Sequence, residues 1–277
     1  MKDLGDSTIL ITGATDGLGK AVAVELARAG ATVLVHGRDD ARGGATLREI
    51  RDETGGDRTR WYRADLASLD EVRALAEHVR TEHERLDVLV NNAGIGTVEA
   101  GDAQRLESRD GYELRFAVNY LAPFLLTRLL LPTLLDSTPS RIVNVSSAGQ
   151  APIDFDDVML EHGYDGVRAY CQSKLALVML TIDLADELAG QGVTANCLHP
   201  GTYMPTKIVL EEIGRSADSL ETGVESTVRL ATSPELEGVT GRFFDRQSES
   251  SAQAQAYDAD ARRRLWDLSV ELTGVTA

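Results

Sequence analysis

Short β-type apolar runs alternate with helical stretches along most of this chain, and that alternation narrows its fold more than any other feature. Thr8 to Thr12 is apolar and stops at Gly13; Val22 to Ala29 follows with helical spacing and ends at Gly30. The pattern repeats with runs at Ala31–Val35, Thr59–Arg63, Leu86–Val90, Arg141–Val145 and Val193–Leu198. Between them lie helical segments from Asp39 to Glu53, from Ser68 to about Glu84, near 108–136 and near 167–189. Ser68, with Glu71 three residues on, reads as a helix N-cap in a capping box. Strands that alternate with helices predict an α/β fold: a doubly wound parallel sheet of about seven strands, with helices on both faces. Arg246 to Gln255 reads as a polar surface loop before a last helix over about 256–272.

At 277 residues the chain is read as a single domain. Its net charge of −16 argues against nucleic acid and anionic membrane surfaces as partners. Cys171 and Cys197 lack metal-type spacing, no metal site is expected, and reduced thiols fit a cytoplasmic protein. The N-terminal residues show no apolar signal core. The apolar run from Leu121 to Leu135 is interrupted by Pro123, Arg128 and Pro132, so a buried helix is expected there rather than a membrane span.

Gly13-Ala14-Thr15-Asp16-Gly17-Leu18-Gly19 lies between the first strand and the first helix. Glycines there permit a tight turn and close backbone approach to a pyrophosphate, which the helix N-terminus favours. The second strand ends at His36-Gly37-Arg38, where a carboxylate would bind the ribose 2′-OH of NAD. Arg38 instead suits the 2′-phosphate of NADP, although Asp16 is a mild argument the other way. Asp65 and Leu66 follow the third strand, where they would border an adenine; Asp65 would equally serve as a helix N-cap. Asn91-Asn92-Ala93-Gly94 follows the fourth, and its small residues would let the chain pass close under a cofactor.

Tyr170 and Lys174 are four apart and share a helix face. An ammonium beside a phenol favours the phenolate, which makes the pair a proton carrier near neutral pH. Ser147 follows a strand's carboxyl end and can donate to a substrate oxygen. Asn119, in an apolar helix, is either a structural hydrogen-bonding residue or part of a proton path. Pro200-Gly201-Thr202 would wall the nicotinamide, with Thr202 or Thr206 binding its amide; His199 reads as structural.

In this order these residues resemble the short-chain dehydrogenase/reductase family, with its Rossmann-like sheet. The stretches Asn119 to Thr127, Ala169 to Ala176 and Leu198 to Gly201 are similar to its retinol-dehydrogenase-like branch. The resemblance implies a candidate catalytic set of Asn119, Ser147, Tyr170 and Lys174. Tyr170 would be the general acid or base, Lys174 would lower its pKa and hold the nicotinamide ribose, Ser147 would polarise the carbonyl, and Asn119 would support a water path. Gly13, Thr15, Asp16, Gly17, Leu18, Gly19, Arg38, Asp65, Leu66, Asn92, Ala93, Gly94, Pro200, Gly201 and Thr202, with Tyr170 and Lys174, would hold the cofactor. The resemblance also implies an insert near 148–168 and a substrate lid near 205–222. The expected activity is NADP-dependent hydride transfer with a hydrophobic alcohol or carbonyl, as a ketoreductase or alcohol dehydrogenase, in a possible homo-oligomer. A non-catalytic NADP-binding regulatory protein is the competing reading.

Overall fold

A computed structural model describes residues 4–96, 104–205 and 216–275. Its centre is an eight-stranded sheet in the order β3-β2-β1-β4-β5-β6-β7-β8. The strands are β1 (Thr8–Ile11), β2 (Thr32–Gly37), β3 (Thr59–Arg63), β4 (Val88–Asn91), β5 (Ser140–Val145), β6 (Val193–His199), β7 (Phe243–Asp245) and β8 (Ser248–Ser250). All neighbours pair in parallel except β7 and β8. The expected seven strands are therefore eight. The polar stretch read as a loop after Arg246 turns back through Arg246 and adds an antiparallel edge strand of exposed residues.

Both faces are covered, and the strand residues still alternate between them. Ile9, Ile11, Val33, Val35, Val88 and Val90 pack toward α1 (Gly17–Arg28), α2 (Asp40–Thr54) and α7 (Leu220–Thr232). Leu10, Leu34, Leu89 and Ile142 pack toward α3 (Leu69–Glu82), α5 (Ala122–Asp136), α6 (Gly166–Glu187) and α8 (Ala259–Thr273). A period of two is what a pleated strand imposes even when neither side meets water. The region expected to cap a pocket, 205–222, lies mostly outside the described residues; its last part enters α7.

The apolar helix after β4 forms where it was expected, with a π-helical turn that the sequence did not indicate. It runs from α4 (Leu114–Phe116) through a π-helical turn at Ala117–Leu121 into α5, despite Pro123 and Pro132. The stretch Leu114–Asp136 is 23 residues long and, among the described residues, is the one helix long and apolar enough to cross a membrane. It lies within the helix expected near 108–136, and Pro123 follows closely on the π-helical turn at Ala117–Leu121. Its apolar window is 72% buried within the fold.

Local chemistry sets the helix ends. Ser68 caps α3 by accepting from the Glu71 amide. Glu71, however, reaches back to the Asp65 N–H (2.8 Å), not to Ser68. Asp65 in turn accepts from the Ala67 amide, so it shapes the turn before the helix rather than capping it.

Candidate active site

The β1–α1 turn and the segment after β4 meet at the point where the strand order reverses, the usual ligand crevice of such sheets. Gly13 has φ +65°, and a Cβ there would lie 2.8 Å from the Ala93 Cα. Only glycine fits so close a crossing. Thr12 ties the two segments: its Oγ1 accepts from the amides of Asn92 (2.9 Å) and Ala93 (3.0 Å). The Asn92 side chain answers by donating to the carbonyls of Thr12 and Gly13. Asp16 caps α1 on the Gly17 amide and pairs with Arg42 at 2.5 Å. The N–H groups of Leu18 and Gly19 have no protein acceptor among the described residues, as expected of a helix's first turn.

His36 does more than the sequence indicated. It is buried, with Nδ1 accepting from the Gly13 amide at 3.2 Å and Nε2 3.1 Å from the Ala64 carbonyl. That pairing requires the neutral ring with its proton on Nε2. Burial, partly offset by the Ala64 hydrogen bond and by Asp65, lowers its pKa to about 4. A histidine alone among Val35 and Gly37 in a buried strand was the signal available, since such a ring must find partners. Beside it, Arg38 is exposed and makes no ion pair among the described residues, whereas Leu66 is buried.

The four candidate catalytic residues converge from three elements. Lys174 and Tyr170 stand on α6, with the ammonium 5.7 Å from the ring centre. Lys174 donates to the Val145 carbonyl (2.9 Å), and burial brings its pKa down to about 8. Ser147 Oγ accepts from the Gly149 amide (3.0 Å), which leaves its O–H for another acceptor. A Cβ on Gly149 would lie 3.4 Å from Cys171 Sγ, 3.5 Å from Ser147 Oγ and 3.7 Å from Tyr170 Cε1, so both candidate side chains approach this glycine.

Asn119 sits in the π-helical turn, a distortion frequent at functional sites. Its Oδ1 accepts from the Ile95 amide (2.8 Å), and its Nδ2 donates to the Ile95 carbonyl and to Ser173 Oγ. A Cβ at Gly94 would lie 3.3 Å from both Asn119 Oδ1 and Lys174 Nζ, so both side-chain ends approach Gly94 closely.

At the far end of the crevice Pro200 and Gly201 are buried. Thr202 is held by His199 Nε2 (3.1 Å), by the Arg246 guanidinium and, through its amide, by Asp218 (2.6 Å). Burial lowers the His199 pKa, which supports its structural reading. Thr206 lies outside the described residues. Both cysteines are free, and the described residues contain no metal-type cluster.

The family model for short chain dehydrogenases covers residues 7–213. The chain belongs to the short-chain dehydrogenase family. Retinol dehydrogenase 13 of Mus musculus is 39% identical over 97% of this chain and 84% of its own length. Within the family the chain therefore falls in the retinol-dehydrogenase-like branch, as an oxidoreductase of the CH–OH/C=O class. A solved structure of a protein from Mycobacterium paratuberculosis shares 31% identity at a TM-score of 0.81, covering 99% of this chain and 96% of the other. A structure described as a short chain dehydrogenase from Escherichia coli CFT073, complexed with NADPH, shares 29% identity at a TM-score of 0.72. It covers 89% of this chain and 99% of its own.

Proposed function

We propose that this short-chain dehydrogenase transfers hydride between NADP(H) and a hydrophobic primary or secondary alcohol or its carbonyl, with a retinoid as the first substrate to test. The observation that carries the reading is the approach of Ser147 Oγ and Tyr170 to the same glycine, Gly149, with the Lys174 ammonium 5.7 Å from the Tyr170 ring centre.

The residues fit a nicotinamide dinucleotide. Gly13 leaves the cradle that a Cβ would fill, and the free N–H groups of Leu18 and Gly19 suit a pyrophosphate. Thr15, Gly17, Asn92, Ala93 and Gly94 line the same passage, while Asp65 and Leu66 border the adenine. Arg38, exposed and without an ion-pair partner among the described residues, would hold the 2′-phosphate; Arg42 answers the charge of Asp16, so the acidic residue in the glycine turn would repel that phosphate less. The bound nicotinamide supplies the hydride acceptor or donor. Tyr170 gives a proton to the carbonyl oxygen in reduction and takes it from the hydroxyl in oxidation. Ser147 donates its O–H to the same oxygen and polarises it. The Lys174 charge favours the phenolate and holds the nicotinamide ribose. Asn119 fixes the Gly94 passage. Pro200, Gly201 and Thr202 wall the nicotinamide. The identity to Retinol dehydrogenase 13 supports the choice of a retinoid.

The test is turnover of all-trans-retinal with NADPH, and of all-trans-retinol with NADP⁺, by the wild-type protein and by Tyr170→Phe. The variant is expected to lose at least about 10³-fold in kcat while binding NADPH as before. Equal turnover by both proteins would end the reading. NADPH binding with no turnover across a broad panel of alcohols and carbonyls would restore the regulatory alternative.

A further inference from the structure

An ion pair lies buried beside the site, and none of the roles above uses it. Arg115 and Glu113 are 2% and 1% exposed, with Arg115 Nη1 3.6 Å from Glu113 Oε1. Arg115 Nε donates to the Gly96 carbonyl at 2.7 Å, and its Nη1 donates to the Tyr164 hydroxyl at 2.7 Å. Tyr164 donates onward to Glu113 Oε1 at 3.0 Å, and Glu113 Oε2 accepts from the Phe116 amide at 2.7 Å. Burial, together with the neighbouring carboxylate, pushes the Tyr164 phenol up to about 12, so its proton stays in place to donate.

Two features separate this cluster from ordinary packing. Desolvating two charges offsets most of their attraction, so a buried ion pair is weak support for stability, and its value is sought in the geometry it imposes. The geometry is specific. Arg115 and Asn119 are four residues apart on the helical stretch that starts at Leu114, and they grip adjacent residues of one strand-end segment: Arg115 holds Gly96, and Asn119 holds both polar groups of Ile95. That segment begins at Gly94, which both Asn119 Oδ1 and Lys174 Nζ approach closely. Tyr164 comes from the other side, two residues before α6, the helix that carries Tyr170 and Lys174.

We propose that Arg115 is a positioning residue for the active site, and that Tyr164 couples the 148–165 segment through it to the Gly94–Gly96 passage and Asn119. The consequences for turnover rest on the proposed function; the coupling itself does not. With the Tyr164 hydroxyl removed, Arg115 keeps Glu113 and Gly96 but loses one of the bonds that orient its fork, so Gly96 and Ile95 loosen together. The Tyr170 proton carrier is then less well aligned with the bound cofactor.

The experiment compares the full-length wild-type protein with Tyr164→Phe and Arg115→Lys, after thermal melts show which variants are folded. Hydrogen–deuterium exchange at the Ile95 amide is read with and without NADPH, and kcat at saturating NADPH is read with all-trans-retinal. Tyr164→Phe is expected to speed Ile95 exchange about tenfold, and to lower kcat about tenfold with NADPH affinity within about twofold of wild type. Arg115→Lys keeps the charge but not the fork, and is expected to show the larger change in both. If Tyr164→Phe does not fold, Arg115→Lys alone decides. Wild-type Ile95 exchange in every folded variant overturns the proposal, whether or not any retinoid is turned over. Faster Ile95 exchange in a protein inert toward retinoids upholds the coupling and removes only the substrate assignment.

Discussion

The Lys174 ammonium lies over the face of the Tyr170 ring, 5.7 Å from its centre, while it donates a hydrogen bond to the Val145 carbonyl. At neutral pH it is a buried cation, and among the described residues it has no carboxylate partner. Such a charge acts on the phenol through the low-dielectric medium between them, where a cation is felt more strongly than in water.

That placement predicts a trade of stability against activity. The Lys174 pKa falls from 10.5 in the unfolded chain to about 8 in the fold. Between those values the unfolded state binds more protons, so stability rises with pH through that window, and the burial cost is fully present below pH 8. Lys174→Met should therefore be more stable than wild type at pH 7, by roughly 1–3 kcal/mol, with the gain shrinking toward pH 10.5. Its turnover should fall at least about 10²-fold. Chemical denaturation at pH 7 and pH 10.5 checks the first part; a variant less stable than wild type at pH 7 contradicts it.

His36 predicts an acid limit for the cofactor cradle. Its ring stays neutral in the fold down to about pH 4, whereas an unfolded histidine protonates near 6.5. Stability is thus lost as pH falls from 6.5 to 4. His36→Asn offers an acceptor toward Gly13 without a titrating ring and should flatten that slope. His36→Ala should weaken NADPH binding about tenfold while kcat at saturating cofactor stays near wild type. Cofactor titration by fluorescence separates the two effects; unchanged affinity in His36→Ala would refute the role.

Arg38 predicts the cofactor preference. Arg38→Asp should cost NADPH about 10–10² in affinity and improve NADH, since a carboxylate there repels the 2′-phosphate and accepts from a ribose hydroxyl. Paired kcat/KM values for NADPH and NADH are the measurement. A wild-type preference for NADH, or an Arg38→Asp variant still selective for NADPH, removes Arg38 from the phosphate site.

Trp266 predicts how α8 is held. Its ring meets Phe124 edge-on at 5.3 Å and lies under the Arg128 guanidinium, and one turn on Ser269 pairs with Tyr120 in the core (2.6 Å). Trp266→Ala should cost roughly 2–3 kcal/mol, since the ring is only partly buried. Thermal denaturation measures the loss, and a change under about 0.5 kcal/mol would place the anchoring of α8 elsewhere.

The alternating pattern made the parallel sheet legible because strand and helix periods differ so clearly in this chain. β3 was read at Thr59–Arg63, as found. The third residues of the site were harder. Tyr170, Lys174 and Ser147 announce themselves by residue type and spacing, and the fold brings Ser147 and Tyr170 to Gly149 and the Lys174 ammonium over the Tyr170 ring. The roles of His36, Arg42 and Arg115 depend on partners 23, 26 and 19 residues away, and no local pattern encodes such distances. Helix α7 was hidden because its first residues were assigned to a lid, and β8 because Ser-Glu-Ser carries none of the apolar alternation that marks a strand. The helix near 108–136 was legible despite Pro132, whereas the π-helical turn around Asn119 was not, since no residue pattern marks it.

The hairpin that carries β8 also governs what happens at the rim of the sheet. A parallel sheet ending on β7 would present Phe243 and Phe244 next to an open row of backbone donors and acceptors, a template for another chain. Ser248, Glu249 and Ser250 occupy that row with a strand too short and too polar to recruit a further one. At the opposite rim, β3 exposes Arg60 and Arg63. The two borders of the sheet are thus guarded against edge-on stacking, one by brevity and an acid, the other by arginines.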